Sequence, residues 1–139
     1  MSDPVSGIIG VVSASISLVD SIYKYTSSFK GAPKRAAELA AEVTTIGEVL
    51  RMLRDHLTRE NAKSNAFERT SVLFFAANGC NQRLQQIHDT LSRLTSGGGL
   101  SRFLRRLKWP LDENDTVQAV AALHRYAQIF EFAFNLDGL

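Results

Sequence analysis

The chain has 139 residues, 45% of them hydrophobic and 22% charged, which suffices for one domain with a real core and excludes a disordered chain. Its 16 Lys and Arg stand against 14 Asp and Glu, and a formal charge of +2 implies no nucleic-acid partner unless basic residues cluster locally. The single cysteine, Cys80, excludes an internal disulfide and suits a reducing, intracellular compartment.

Ser2 or Asp3 as N-cap and Pro4 at the first helical position predict a helix from residue 4 to about Ser28, where "FKGAPK" breaks it. Sixteen consecutive residues of it, from Pro4 to Val19, carry no charge. A secretory signal needs a basic start, and none precedes Lys24. A constitutive membrane span needs about 20 apolar residues. This run includes four serines, so only a conditional span stays open. At 100° per residue, Ser6, Gly10, Ser13, Ser17 and Ser21 gather on one narrow face. Val5, Ile8, Ile9, Val11, Val12, Ile16, Leu18, Val19 and Ile22 cover roughly 220° of the remainder. Small residues at four-residue spacing let helices approach closely, and in lipid such a face favours association between copies. The alternative is a helix that forms the central, most buried member of a soluble bundle.

Pro33 begins a second helix, in which Ala36, Leu39, Val43, Ile46, Leu50, Leu53 and Leu57 form one apolar seam ending near Arg59. Glu38 and Glu42, beside Lys34 and Arg35, read as solvated charge on its exposed face. After the polar link "TRENAKSNA", a third helix repeats the spacing with Leu73, Ala77, Cys80, Leu84, Ile87, Leu91 and Leu94. Cys80 on that seam reads as a buried structural thiol. "TSGGG" stops the helix, and its glycines lack the Lys and Ser or Thr of a phosphate loop.

A short basic helix is expected from Ser101 to Pro110, with Arg102, Arg105, Arg106 and Lys108 packed around Phe103, Leu104, Leu107 and Trp109. Such a mixture suits a lipid headgroup surface, an acidic protein partner, or a cap that buries Trp109. The last helix should start between Asp112 and Thr116 and carry Val120, Leu123, Ala127, Phe130 and Phe134 inward. No stretch alternates as a strand would. The expected fold is therefore all-α: a single domain, residues 1–139, forming a four-helix bundle with neighbours mostly antiparallel and an additional short basic helix before the last long helix. His56, His88 and His124 fall in different helices without metal-ligand spacing and read as surface or bundle-edge residues, so no catalytic, cofactor or metal site emerges.

Some of these residues carry a resemblance. "DPVSGIIGVV" after Met1, "APK" at Ala32, Pro33 and Lys34, the pattern Leu39, Glu42, Val43, Leu50 and Leu53, "RLKWPL" at 106–111 and the closing "LHRYAQIFEFAFNL" resemble the fungal HeLo-like family. That family supplies the N-terminal helical domain of NOD-like receptor-type and other STAND proteins, and of small cell-death effectors that end in an amyloid signalling motif. The similarity spans nearly the whole chain, mostly as helical patterning, with the opening and "RLKWPL" as its distinctive blocks. "DEND" at 112–115 departs from relatives that often carry lysines there.

The resemblance implies a non-enzymatic cell-death executioner of fungal immunity or allorecognition. It would need no cofactor, stay cytoplasmic while inactive, and reach the plasma membrane once a C-terminal sensor or amyloid motif outside this chain clusters it. The end at "NLDGL", directly after a helix, suggests an excised domain. On this reading the nine apolar residues of the first helix insert, and Ser6, Gly10, Ser13 and Ser17 bring copies together. Arg102, Arg105, Arg106 and Lys108 then meet anionic lipid, at about 1 kcal/mol per charge near the surface. A non-lytic adaptor or oligomerisation domain of a NOD-like receptor is the alternative.

Overall fold

Each long helix of this protein has one apolar seam, and the fold turns those seams inward. The computed structural model describes residues 4–27, 34–59, 66–95 and 111–136. These hold four helices and no strand: α1 (Pro4–Ser27), α2 (Lys34–Arg59), α3 (Ala66–Thr95) and α4 (Glu113–Leu136). Among the described residues the expected all-α bundle is what the chain forms. The short basic segment at 101–110, with Arg102, Arg105, Arg106 and Lys108, lies outside the described residues, as do Ser2 and Asp3.

Every seam residue predicted on α2 is buried, from Ala36 through Leu57. On α3, Leu73, Ala77, Cys80, Leu84, Ile87 and Leu91 are buried as well. Leu123, Ala127 and Phe130 supply the inner face of α4, joined by Ala119 and Thr116, which the 3.6-residue period also turns inward. α3 begins at Ala66, within the stretch that reads as the end of a polar link. α4 begins where its acidic residues suggest. The carboxylate of Asp112 accepts the Asp115 amide at 2.7 Å, while its carbonyl accepts both the amide and the hydroxyl of Thr116, at 3.0 and 2.9 Å. Asp112 is thus an N-cap that satisfies donors the helix itself leaves open.

Around the bundle the order is α1, α2, α4, α3, and the diagonal pairs α1 with α4 and α2 with α3 make no close backbone approach among the described residues. Two adjacent pairs are parallel. Ser15 meets Asn81 and Tyr25 meets His88 along α1 and α3, while Arg35 meets Glu113 and Glu42 meets His124 along α2 and α4. The expectation of mostly antiparallel neighbours is thereby corrected. Its cause is the step from α2 to α3, which joins diagonal corners and not adjacent ones.

Two glycines make room for side chains of neighbouring helices. A Cβ on Gly47 of α2 would lie 2.8 Å from Cγ1 of Val19, and one on Gly79 of α3 would run into the Tyr126 hydroxyl of α4. Each lets a neighbouring side chain lie on bare backbone.

Candidate functional site

α1 is the element on which the functional question rests. Ile8, Val12, Ile16, Val19 and Ile22 are buried, and Ile9, Val11 and Leu18 are half-buried along the flanks. The side chains of Val5 and Ser6 lie outside the described residues. A broad apolar arc follows from the position of α1 at a corner of the bundle, because α2 covers one flank and α3 the other. It is not the central helix. Its small-residue face points to solvent: Gly10 and Ser17 are exposed, Ser13 and Ser21 half-buried, and a Cβ on Gly10 would meet nothing within 4 Å.

Within α1, the 20 residues Gly7–Thr26 are long and apolar enough to cross a membrane, and only 33% of that stretch is buried in the bundle. At about 1.5 Å per residue they measure about 30 Å, the thickness of a bilayer's hydrocarbon core. Polar contacts fasten it to its neighbours. The buried Ser15 hydroxyl donates to the Val11 carbonyl at 2.9 Å and accepts from Nδ2 of Asn81 at 3.0 Å, which pins α1 against α3. Asp20 pairs with Arg51 of α2 at 2.8 Å on the surface, where such a bridge contributes at most about 1 kcal/mol. The Tyr25 ring stands 5.7 Å from that of His88. Asn81 was not legible as a fastening from its own sequence position; its only signal is an uncharged amide directly beside the Cys80 seam.

Two readings of polar residues are corrected. His56 is buried near the end of α2 and is not a surface residue, since α2 still packs inward at Leu57. Glu42 is only partly solvated: its side chain is 17% exposed, with Oε1 3.3 Å from Nδ1 of His124, because the parallel pairing of α2 and α4 covers that face.

Cys80 is fully buried, and burial pushes its thiol up from 9.0 to about 12. Between those values the unfolded chain gives up the proton that the folded chain keeps. Its contribution to stability is therefore complete below about 9 and is lost as pH rises toward 12. Urea midpoints of the wild type and of Cys80→Ala measured across that alkaline range should converge, by up to about 1.4 kcal/mol per pH unit. Parallel pH profiles for the two proteins would refute this.

Among the described residues no three His, Cys, Asp or Glu side chains come together. A groove of about 170 Å³ between α3 and α4, with Arg83, Ile87, Leu111 and Asp115 on its walls, is below the roughly 300 Å³ of small-molecule pockets. Compared with known proteins, the chain has no match: no family model, no curated protein and no solved structure is significantly similar to it.

Proposed function

We propose that this chain is a membrane-permeabilising domain whose first helix is held in reserve until copies are clustered. The observation that carries the reading is the seat of α1: a 20-residue apolar stretch lies at a corner of the bundle and, among the described helices, packs against α2 and α3. Its departure would give up the two most extensive interfaces among those helices and leave α3 joined to the rest through α4. The resemblance to the HeLo-like family extends the proposal to programmed cell death or allorecognition in fungi, with clustering driven by a C-terminal sensor or amyloid motif. Arg102, Arg105, Arg106 and Lys108 are proposed as the anionic-lipid contacts.

Energetics favour a clustered trigger. Moving Ile8, Val12, Ile16, Val19 and Ile22 from the core into water costs on the order of 10 kcal/mol, comparable to the whole stability of a small domain. The helix therefore leaves only where lipid or neighbouring copies take up that surface. Serine hydroxyls and backbone in the small-residue face can satisfy one another between copies in a way one helix alone cannot.

The test is dye release from anionic liposomes by the domain alone, by the domain fused to a clustering module, and by a clustered form lacking residues 2–22. Release is expected from the second alone. Gly10→Leu with Ser17→Leu should leave the fold intact, since both positions face solvent, and should lower release by the clustered protein at least about tenfold if copies meet through that face. Unchanged release by the double variant would remove the small-residue face from the proposal.

The Ser15–Asn81 hydrogen bond favours a second reading, in which α1 is a permanent core helix of an adaptor domain. Hydrogen exchange on the clustered, vesicle-bound protein separates the two readings. Protection of α1 amides unchanged from the free protein would favour the adaptor.

A further inference from the structure

Charge is distributed unevenly around the bundle. α2 carries nine Lys, Arg, Asp and Glu in its 26 residues. Diagonally across stands α3, whose stretch "SVLFFAANGCNQ" at 71–82 has no charged residue in twelve, although a helix at a bundle corner turns much of its surface to water. Three large apolar side chains face outward there, beside the exposed Gln82 and the half-buried Asn78. Phe75 is 83% exposed, Val72 one turn before it 64%, and Phe74 39%.

α4 extends the same surface. It runs antiparallel to α3, and the approach of Tyr126 to Gly79 sets the level at which the two meet. Phe132, 64% exposed, therefore stands at the end of the bundle that carries Val72 and Phe75. Ile129 and Ala133, three and seven residues beyond Tyr126 and so on its face of the helix, are half-buried toward α3. Arg83, one turn past Gly79, and Arg125, beside Tyr126, stand at the other border of the patch. Glu131 is the only acidic residue in 126–136, and it sits about 100° around the helix from Phe132.

We infer that this face of the closed bundle docks on an anionic lipid bilayer, with Val72, Phe75 and Phe132 entering the boundary between headgroups and acyl chains and Arg83 and Arg125 meeting the phosphates. Single aromatic side chains projecting from two helices, away from the groove that Arg83 and Asp115 line, suit a soft surface that closes around each one. The arginine border complements phosphate. Phe74 links this face to the first helix, since its ring lies 3.3 Å from where a Gly7 Cβ would be, so docking brings the start of α1 to the lipid. The inference deepens the membrane reading and rests on it for its biological sense, but docking is measured without permeabilisation.

The experiment is co-sedimentation of the unclustered full chain with phosphatidylcholine vesicles, with and without phosphatidylserine. Phe75→Ser with Phe132→Ser should lower partition at least about tenfold with circular dichroism unchanged. Arg83→Gln with Arg125→Gln should lower it more on vesicles that contain phosphatidylserine than on phosphatidylcholine alone. Partition by the phenylalanine variant equal to wild type would overturn the inference. So would a wild-type dimer in vesicle-free solution that Phe75→Ser dissociates, because the face would then hold a second copy. Vesicle binding that depends on the phenylalanines, in a protein whose clustered form never releases dye, would keep docking and discard permeabilisation. Release by a clustered protein whose binding ignores them would do the reverse.

Discussion

A disulfide between α1 and α2 should abolish dye release by the clustered protein, and reduction should restore it. The pair is Val19→Cys with Gly47→Cys. A Cβ built on Gly47 lies 3.7 Å from the Val19 Cβ, within the roughly 3.5–4.5 Å that a disulfide spans. Replacing Val19 also removes the Cγ1 methyl that would otherwise crowd a side chain at Gly47. Closing the chain between these positions should stabilise the oxidised form by about 3–4 kcal/mol. Cys80 does not compete for the bond, because its thiol is buried and held protonated with a pKa of about 12. Release that persists after the bond is verified by mass would mean that α1 acts without parting from α2.

Phe130→Ala is the core substitution expected to cost most, about 3–5 kcal/mol of a total near 5–15. Phe130 heads the fully buried side chains by volume, and its removal leaves a void that the four inward seams cannot close. Urea unfolding should show the midpoint fall sharply with the slope unchanged. Phe75→Ala and Phe132→Ala, at two of the most exposed phenylalanines, should stay within about 0.5 kcal/mol of wild type. A large loss at Phe75 or Phe132 would mean that these side chains pack in the folded chain, and the lipid-docking face would fall with that result. Should Phe130→Ala fail to fold, Phe130→Leu gives a smaller step in the same direction.

Helix boundaries and seams were legible because both are local. Pro4 opens α1, Asp112 caps α4, and apolar residues spaced three and four apart name the buried side of α2 and α3 before any partner is known. The breadth of the apolar arc on α1 was legible too, but not which part of it the bundle would cover. Ile8, Val12, Ile16, Val19 and Ile22 went to the core, while Ile9, Val11 and Leu18 became flanks. That division depends on α2 and α3 both lying against α1.

The sequence by itself determined that four amphipathic helices would form and which side of each would be apolar, since a 3.6-residue period is written within each segment. Only the tertiary structure decided the order of the helices around the bundle, the parallel pairing of α1 with α3 and of α2 with α4, and the partial burial of Glu42 beside His124. It also decided that the charged helix α2 and the uncharged stretch 71–82 of α3 stand on opposite corners. The reason is that four similar seams can close a core in more than one order. The choice among those orders is made by contacts between residues far apart in the chain, such as Val19 on Gly47, Tyr126 on Gly79 and Asn81 on Ser15, which no single segment contains.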